Sequence, residues 1–252
     1  MLDFTNWLMV FLRVSAMFAI FPVFSASNFP VQLRLALGAL LSILICPVIP
    51  TTAMPQDIWG LVGAMAMEVG IGLTLGFVSR MVFYGLDLVA AIIATEIGLQ
   101  LPAGINPMSG GQTNSIGTVL YYLAAILWLS LDMHHWMIVG IQRTYTFLPI
   151  GGAHVSSAAM TDVVARTSQT FLIGLQLAAP IMAVSFIINL VFSILGRAVP
   201  QMNVFQESFV FRILVGLSVF GMTMQLMSQH IANYLHRLPE DFLSVAQLLG
   251  TH

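Results

Sequence analysis

The sequence predicts an all-α, polytopic integral membrane protein of tilted, partly broken helical hairpins. Of the 252 residues, 58% are hydrophobic and 7% are charged, and the mean hydropathy is +0.94. Apolar segments follow one another along the whole chain, and charged side chains interrupt several of them. Soluble domains carry about 25% charged residues, so a soluble domain of this composition could not cover itself with a polar surface.

The composition also limits the classes of function. The net charge is −2, lysine is absent and no basic block occurs, so nothing in the sequence indicates binding to nucleic acid. Cys46 is the only cysteine, which excludes a disulfide within the chain. The first ten residues, MLDFTNWLMV, lack the basic region and the cleavage site of a signal peptide. The first apolar segment is therefore expected to stay in the mature protein.

Six or seven apolar segments are expected to form helices, since about 20 helical residues cross a bilayer core of about 30 Å. They are residues 4–24, 35–49, 58–84, 86–101, 116–140, 171–195 and 209–227. The second is short for a span, and the first contains Arg13 and Pro22. No internal repeat is visible, so residues 1–252 are predicted to form a single domain.

Some local patterns predict how the helices pack and where they end. Gly72 and Gly76 have the spacing of small residues that lets membrane helices approach closely. The polar region 142–170 is expected to lie outside the hydrocarbon. The tail 228–252 has a helical pattern on either side of Pro239, which predicts a break there.

An uncharged stretch rich in glycine and proline lies between two apolar segments. It is residues 98–117, GLQLPAGINPMSGGQTNSIG. Glycine and proline at this density cannot continue a helix. In hydrocarbon each unsatisfied backbone group costs roughly several kcal/mol, so such a segment must be buried in protein or line an aqueous path. This stretch is therefore expected to lie in, or to close, a pore.

Charged residues lie within or at the edges of the apolar segments. They are Arg13, Glu68, Arg80, Asp87, Glu96, Asp132 and Arg212. An ionised side chain at a helix centre costs at least about 2.5 kcal/mol, so such residues usually face protein or water. They are expected to pair within the chain or with other subunits. Arg80 and Asp87 share a helix face if one helix continues through Gly85, but partners on neighbouring helices are favoured.

The sequence predicts neither an enzyme nor a metal or cofactor site. It contains no H-E-x-x-H pattern, cysteine cluster, phosphate-binding loop or G-x-S-x-G motif. His134 and His135 are adjacent, so on a helix they point about 100° apart, which argues against a shared metal ion. The sixteen methionines are dispersed and are typical of irregular helix packing.

Four blocks of sequence resemble, in order and spacing, the FliR family of flagellar type III export-apparatus proteins. They are FLRVSAMFAIFPVFSASNFPVQLRLAL at 11–37, EIGLQLPAGINPMSGGQ at 96–112, LDMHHWMIVGIQRTYTFLPIGG at 131–152 and GRAVPQMNVF at 196–205. The resemblance covers nearly the whole chain. Virulence-associated counterparts share the fold, and the LPIGG stretch favours the flagellar branch.

The resemblance implies a subunit of an export gate in the bacterial inner membrane, associated with the flagellar basal body. FliP-like and FliQ-like subunits would complete a helical complex that conducts unfolded flagellar export substrates. FlhB-like and FlhA-like export proteins and membrane lipid are further implied partners. The charges that would then meet other subunits are Arg13, Glu68, Arg80, Asp87 and Glu96.

The resemblance also implies that the segment after the glycine-rich turn is a plug that narrows the closed channel. Carried over to this sequence, it consists of Leu101, Pro102, Ala103, Gly104, Ile105, Asn106, Pro107, Met108, Ser109, Gly110, Gly111 and Gln112. An acidic residue is frequent in the family where Asn106 stands, and an aromatic where Gly104 stands. Ile105 and Met108 are the bulky members here and would seal by apolar contact.

Two other interpretations fit the residues. A stand-alone secondary transporter or ion channel would use Glu68, Asp87 or Glu96 as proton or cation sites, although no duplicated half supports it. A structural scaffold would pack the glycine-rich loop between partners without gating.

Overall fold

A computed structural model describes residues 4–25, 29–49, 55, 57–99, 114–152, 157–199, 201 and 203–250. These residues form α-helices and one 3₁₀ turn, Cys46–Val48, and they contain no strand. The helices are α1 (Phe4–Ile20), α2 (Pro22–Ser25), α3 (Val31–Ile45), α4 (Ile58–Ile97), α5 (Ser115–Ser130), α6 (Met133–Phe147), α7 (Ser157–Ala198) and α8 (Val204–Gly250). The prediction of an all-α protein is confirmed.

Two predicted segments join into one helix, because α4 continues through Gly85. A glycine inside a helix costs only about 1 kcal/mol relative to alanine, which a long packed helix tolerates. The absence of a side chain at Gly85 leaves room for a residue of α7. A Cβ there would lie 2.9 Å from the Thr170 methyl group on α7. The glycine therefore allows α4 and α7 to pack closely.

The predicted segment 116–140 is divided into α5 and α6, which bend by 72° at the break. Asp132 lies at this break with φ 54° and ψ 28°, in the left-handed region. Among residues with a side chain, aspartate is one of the few that adopt this conformation readily. The break is thus built on a single residue that the hydropathy pattern did not reveal.

The predicted break at Pro239 is wrong, because α8 continues through this residue. Proline removes one backbone hydrogen bond from the helix. Leu235 and Leu238 before it and Phe242 after it are all buried. The packing of both flanks therefore holds the helix together across the missing hydrogen bond.

The chain folds into two compact units, each assembled from segments that are distant in the sequence. The first contains Met1–Met81, Trp128–Thr167 and Tyr234–His252, and the second contains Val82–Leu127 and Ser168–Asn233. In the first, α1 is buried through Met9, Val10, Val14, Met17 and Phe18. The second has an apolar core of residues from α4, α5, α7 and α8, among them Ile93, Ile97, Leu120, Ala178, Ile181 and Phe220.

In the part of the chain that the structure describes, four helical segments are long and apolar enough to cross a membrane. They are Val31–Val48, Ile58–Ile97, Ser157–Ala198 and Gln206–Gly250. The bent pair of α5 and α6 makes a fifth if it is counted as one span. Large apolar side chains remain exposed on these segments, including Leu44, Phe186 and Met222. The chain therefore has the helices of a multi-pass membrane protein.

Candidate functional site

A buried ion pair joins α1 to α4 in the first unit. Arg13 Nε lies 2.7 Å from Glu68 Oε2, and Arg13 Nη2 lies 3.0 Å from Glu68 Oε1. The two side chains are 1% and 0% exposed. Two parallel N–H···O bonds match the planar guanidinium to the planar carboxylate, which is the strongest geometry for such a pair. These two charges, both found inside apolar segments, pair with each other.

Polar groups at the end of α6 complete the environment of this pair. Arg13 Nη1 and Nη2 each donate to the carbonyl oxygen of Leu148 at 3.2 Å, and Nη1 also donates to Thr144 Oγ1 at 3.3 Å. The Tyr145 ring lies 3.9 Å from the guanidinium carbon. Gly151 N–H donates to Glu68 Oε1 at 3.2 Å. These hydrogen bonds compensate the two charges for the loss of water. They also link α1 and α4 to the turn after α6.

The charges of Arg13 and Glu68 are thus satisfied within the chain. From the sequence they were expected to pair either internally or with other subunits, and for these two the structure shows internal pairing.

The close approach of α1 and α4 depends on the predicted pair of glycines. A Cβ on Gly72 would collide with the carbonyl oxygen of Arg13 and lie 2.8 Å from the Cβ of Ala16. A Cβ on Gly76 would lie 2.8 Å from the carbonyl oxygen of Met17. The predicted use of small residues for helix approach is confirmed, and it places Glu68 within reach of Arg13.

Arg80 has hydrogen-bond partners on neighbouring helices. Its Nη1 donates to the carbonyl oxygen of Ile20 at 3.2 Å and to Ser25 Oγ at 3.4 Å. The side chain is half-buried. These two hydrogen bonds agree with the interpretation that neighbouring helices supply partners for Arg80.

Asp87 and Glu96 lie on α4 in the second unit. Asp87 is exposed and lines a depression together with Asn114, Gly117, Thr118, Tyr121 and Tyr122. Glu96 is half-buried, and its backbone carbonyl accepts a hydrogen bond from Ser185 on α7. Asp87 therefore brings an exposed carboxyl group to a depression that tyrosine side chains also line.

The predicted plug, residues 101–112, lies outside the described residues, but the chain on both sides of it is described. Helix α4 ends at Ile97, and Gly98 follows with φ 84° and its N–H bonded to the Thr95 carbonyl. Helix α5 begins at Ser115, and the Asn114 side chain accepts the N–H of Gly117. The predicted non-helical stretch 98–117 is therefore slightly too long at its end, because Gly117 is helical.

Both ends of this stretch are anchored in the same apolar core. Ile97 is 1% exposed and packs beside Gly216 of α8, where a Cβ would lie 2.7 Å from it. Ile116 is 4% exposed and belongs to the same core cluster as Ile97. The segment between them thus starts and finishes on one packed body.

The sequence analysis missed one polar cluster, and of a second it named the members without bringing them together. Arg166 on α7 contacts Asp162 four residues earlier, and it also reaches Asp241 and Ser244 on α8. Asp132, His134 and His135 lie together at the break between α5 and α6. The spacing of Asp162 and Arg166 was a visible signal of a helix pair. The contacts to α8 carry no signal in a single sequence.

The family described as "Bacterial export proteins, family 1" matches residues 4–238 of the chain. Curated relatives named "Flagellar biosynthetic protein FliR" are similar over nearly their full length. The protein of Caulobacter vibrioides is 30% identical over 86% of this chain and 87% of its own. That of Escherichia coli is 27% identical over 97% of this chain and 96% of its own. That of Bacillus subtilis is 25% identical over 98% of this chain and 96% of its own.

Proposed function

This chain belongs to the FliR family of bacterial export proteins, and we propose from that membership that it is a subunit of the flagellar type III protein export gate. The observation that carries the proposal is the family match over residues 4–238. The relatives carry the name of a flagellar biosynthetic protein, which favours the flagellar branch over a virulence system. The helices able to span a membrane agree with a membrane location, here the bacterial inner membrane at the basal body.

The proposed complex contains FliP-like and FliQ-like subunits and associates with FlhB-like and FlhA-like export proteins. Unfolded flagellar proteins are its cargo. Support comes from the apolar side chains that the chain leaves uncovered, such as Phe186, which is 67% exposed, and Met222, which is 83% exposed. Apolar surface of this extent requires lipid or neighbouring subunits to cover it. The proposed partners would supply part of that cover.

Charged side chains on α4 are expected to contribute to the specificity for partner subunits. Asp87 lines the depression described above together with Tyr121 and Tyr122. A depression lined by a carboxylate and aromatic rings suits a cationic side chain, because both kinds of group attract positive charge. Asp87 is therefore proposed to face another subunit, and Glu96 on the same helix is proposed to do so as well. Arg80 has partners within the chain and is not part of this surface.

Residues 101–112 are proposed to be the plug of the closed channel. The segment has no charge, and both helices that bracket it are anchored in one core through Ile97 and Ile116. A segment held at both ends can swing without releasing the body that carries it. Gly110 and Gly111 would act as hinges, since glycine has the widest choice of backbone angles. Ile105 and Met108 would supply weak apolar contacts that yield when cargo enters.

Isolation of the tagged full-length chain from its native membranes in mild detergent tests the gate assignment. Mass spectrometry should identify FliP-like and FliQ-like proteins in a fixed ratio within one large complex. Recovery of the chain alone, or only as a homo-oligomer that binds a small solute, would overturn the proposal in favour of a transporter. Asp87→Asn should reduce the recovered partners, whereas Glu240→Gln, at an exposed position on α8, should leave them unchanged.

A further inference from the structure

We propose that Asp132, His134 and His135 form a binding site for a divalent transition-metal ion of the zinc class at the break between α5 and α6. One ligand atom from each residue lies within 4.8 Å of those of the other two. Asp132 Oδ1 is 3.5 Å from His135 Nδ1 and 3.9 Å from His134 Nε2. The expectation that two adjacent histidines cannot share an ion took only the helix into account. The carboxylate that completes the set comes from the residue before the helix.

The backbone at Asp132 brings this carboxylate over the first turn of α6. Its left-handed conformation ends α5, and its carbonyl oxygen accepts the N–H groups of His135 at 3.0 Å and Trp136 at 3.4 Å. The positive end of a helix dipole would by itself disfavour a cation here. The negative carboxylate at the same position offsets that effect and supplies a hard oxygen ligand.

Packing holds one of the two imidazoles before any ion binds. The His134 ring lies 5.8 Å from the ring of Trp128, whose side chain is buried, and 4.1 Å from the ring of His135. His134 Nδ1 is shielded from solvent and makes no hydrogen bond. Nε2 is therefore the nitrogen that His134 offers on the side of Asp132. A ligand that is already oriented loses less conformational entropy on binding.

The donor set selects the class of ion. Two neutral imidazoles and one carboxylate suit zinc, copper or nickel, whereas calcium and magnesium prefer oxygen ligands alone. Ligands about 2.1 Å from zinc at tetrahedral angles are about 3.4 Å apart. The pair of Asp132 and His135 is already at that separation, and both side chains are exposed and able to adjust. His134 Nε2 lies 3.9 Å from Asp132 Oδ1, and the largest separation in the set, up to 4.8 Å, must also shorten when the ion binds.

Three protein ligands leave a fourth tetrahedral position for water, so binding would be reversible and exchangeable. The ion would join Asp132, at the break after α5, to the first turn of α6. The site consists of residues 132–135 alone and does not require the proposed export function.

Zinc binding by the full-length chain tests the proposal. The chain is purified in mild detergent with its accompanying subunits, through a tag without histidine, and stripped with a chelator. Competition between the protein and a chromophoric zinc chelator then gives the affinity. We expect about one equivalent of zinc per chain beyond that of the His134→Gln/His135→Gln variant, and at least about tenfold weaker binding in each single variant. Equal zinc uptake by wild type and the double variant would overturn the site.

Two further variants separate coordination from folding. Asp132→Asn keeps a residue that tolerates the left-handed backbone but removes the charge, and it should weaken zinc binding while the complex stays intact. His236→Gln, at an exposed position on α8, should bind zinc as the wild type does. Cobalt(II) provides a spectroscopic check, since its visible absorption reports ligand number. Cobalt bands that persist in the double variant would contradict the proposal.

Discussion

Arg13 and Glu68 are 55 residues apart in the sequence and form two parallel hydrogen-bonded contacts in the buried part of the first unit. Neither side chain is exposed by more than 1%. The Leu148 carbonyl accepts further hydrogen bonds from Arg13, and the Gly151 N–H donates to Glu68. Because both charges are desolvated, each depends on the other, and removal of one leaves the other buried without its main partner.

Arg13→Met should therefore destabilise the protein by about 3–5 kcal/mol, since it leaves the Glu68 carboxylate unpaired in a buried site. The double variant Arg13→Met/Glu68→Leu should recover most of that loss, because it removes both charges together. The thermal unfolding midpoint of the detergent-purified protein measures the effect. Arg237→Met, which changes an exposed arginine on α8, is the matched control and should unfold as the wild type does. A double variant less stable than either single variant would refute the pair.

The contact between α1 and α4 predicts opposite effects at two neighbouring glycines. Gly72→Ala places a methyl group against the Arg13 carbonyl oxygen and the Ala16 side chain, which should cost about 1–3 kcal/mol by overpacking. Gly70→Ala meets no atom within 4 Å and should be neutral or stabilising by up to about 1 kcal/mol through helix propensity. Thermal unfolding of the two variants decides the matter. Equal midpoints would mean that α1 and α4 do not pack at Gly72.

The sequence was informative where the cause is local. Composition and the apolar segments predict the all-α membrane fold, and the spacing of Gly72 and Gly76 predicts a close helix contact. Where the cause is tertiary, prediction was wrong. Burial on both sides of Pro239 keeps α8 intact, and packing against Thr170 keeps Gly85 inside α4. The partner of Arg13 could not be chosen from several carboxylates, because a single sequence does not say which helices are neighbours.

The contacts of Arg166 are expected to make a modest, salt-dependent contribution to stability by joining α7 to α8. Its guanidinium contacts Asp162, Asp241 and Ser244, but the side chains of Arg166 and Asp241 are 20% and 27% exposed. Partial exposure limits such a pair to about 0.5–1 kcal/mol. Arg166→Met should lower the unfolding midpoint slightly at low ionic strength and less at high ionic strength, because salt screens the wild-type pair.

The control for Arg166 is Arg143→Met, at an exposed position on α6. Its effect should be smaller than that of Arg166→Met at low ionic strength. If Arg166→Met and Arg143→Met change the midpoint equally at every salt concentration, the link through Arg166 contributes nothing.

The plug proposal predicts an ion leak when residues 101–112 lose their bulk. Gly117, near the start of α5, lies beside Ala90, which is seven residues before the end of α4 at Ile97. Seven helical residues are about 10 Å long, so the chain that joins α4 to α5 must span about this distance. Removal of all of residues 101–112 would therefore strain both helix ends. Deletion of 103–110, or Ile105→Ser with Met108→Ser, removes the apolar seal and leaves enough chain. Membrane vesicles that carry either variant should conduct ions faster than wild-type vesicles with the same amount of assembled complex.

The serine pair needs a control that removes apolar side chains elsewhere. Met160→Ser with Val164→Ser does so at two exposed positions on α7, and it should leave ion conductance unchanged. If the 103–110 deletion and the Ile105/Met108 variant also leave conductance unchanged while the complex assembles normally, the segment does not close the channel. A structural scaffold would then account for the glycine-rich stretch better than a plug. A leak in the Met160/Val164 control as well would instead indicate general damage to the membrane assembly, so only a leak confined to the 101–112 variants supports the plug.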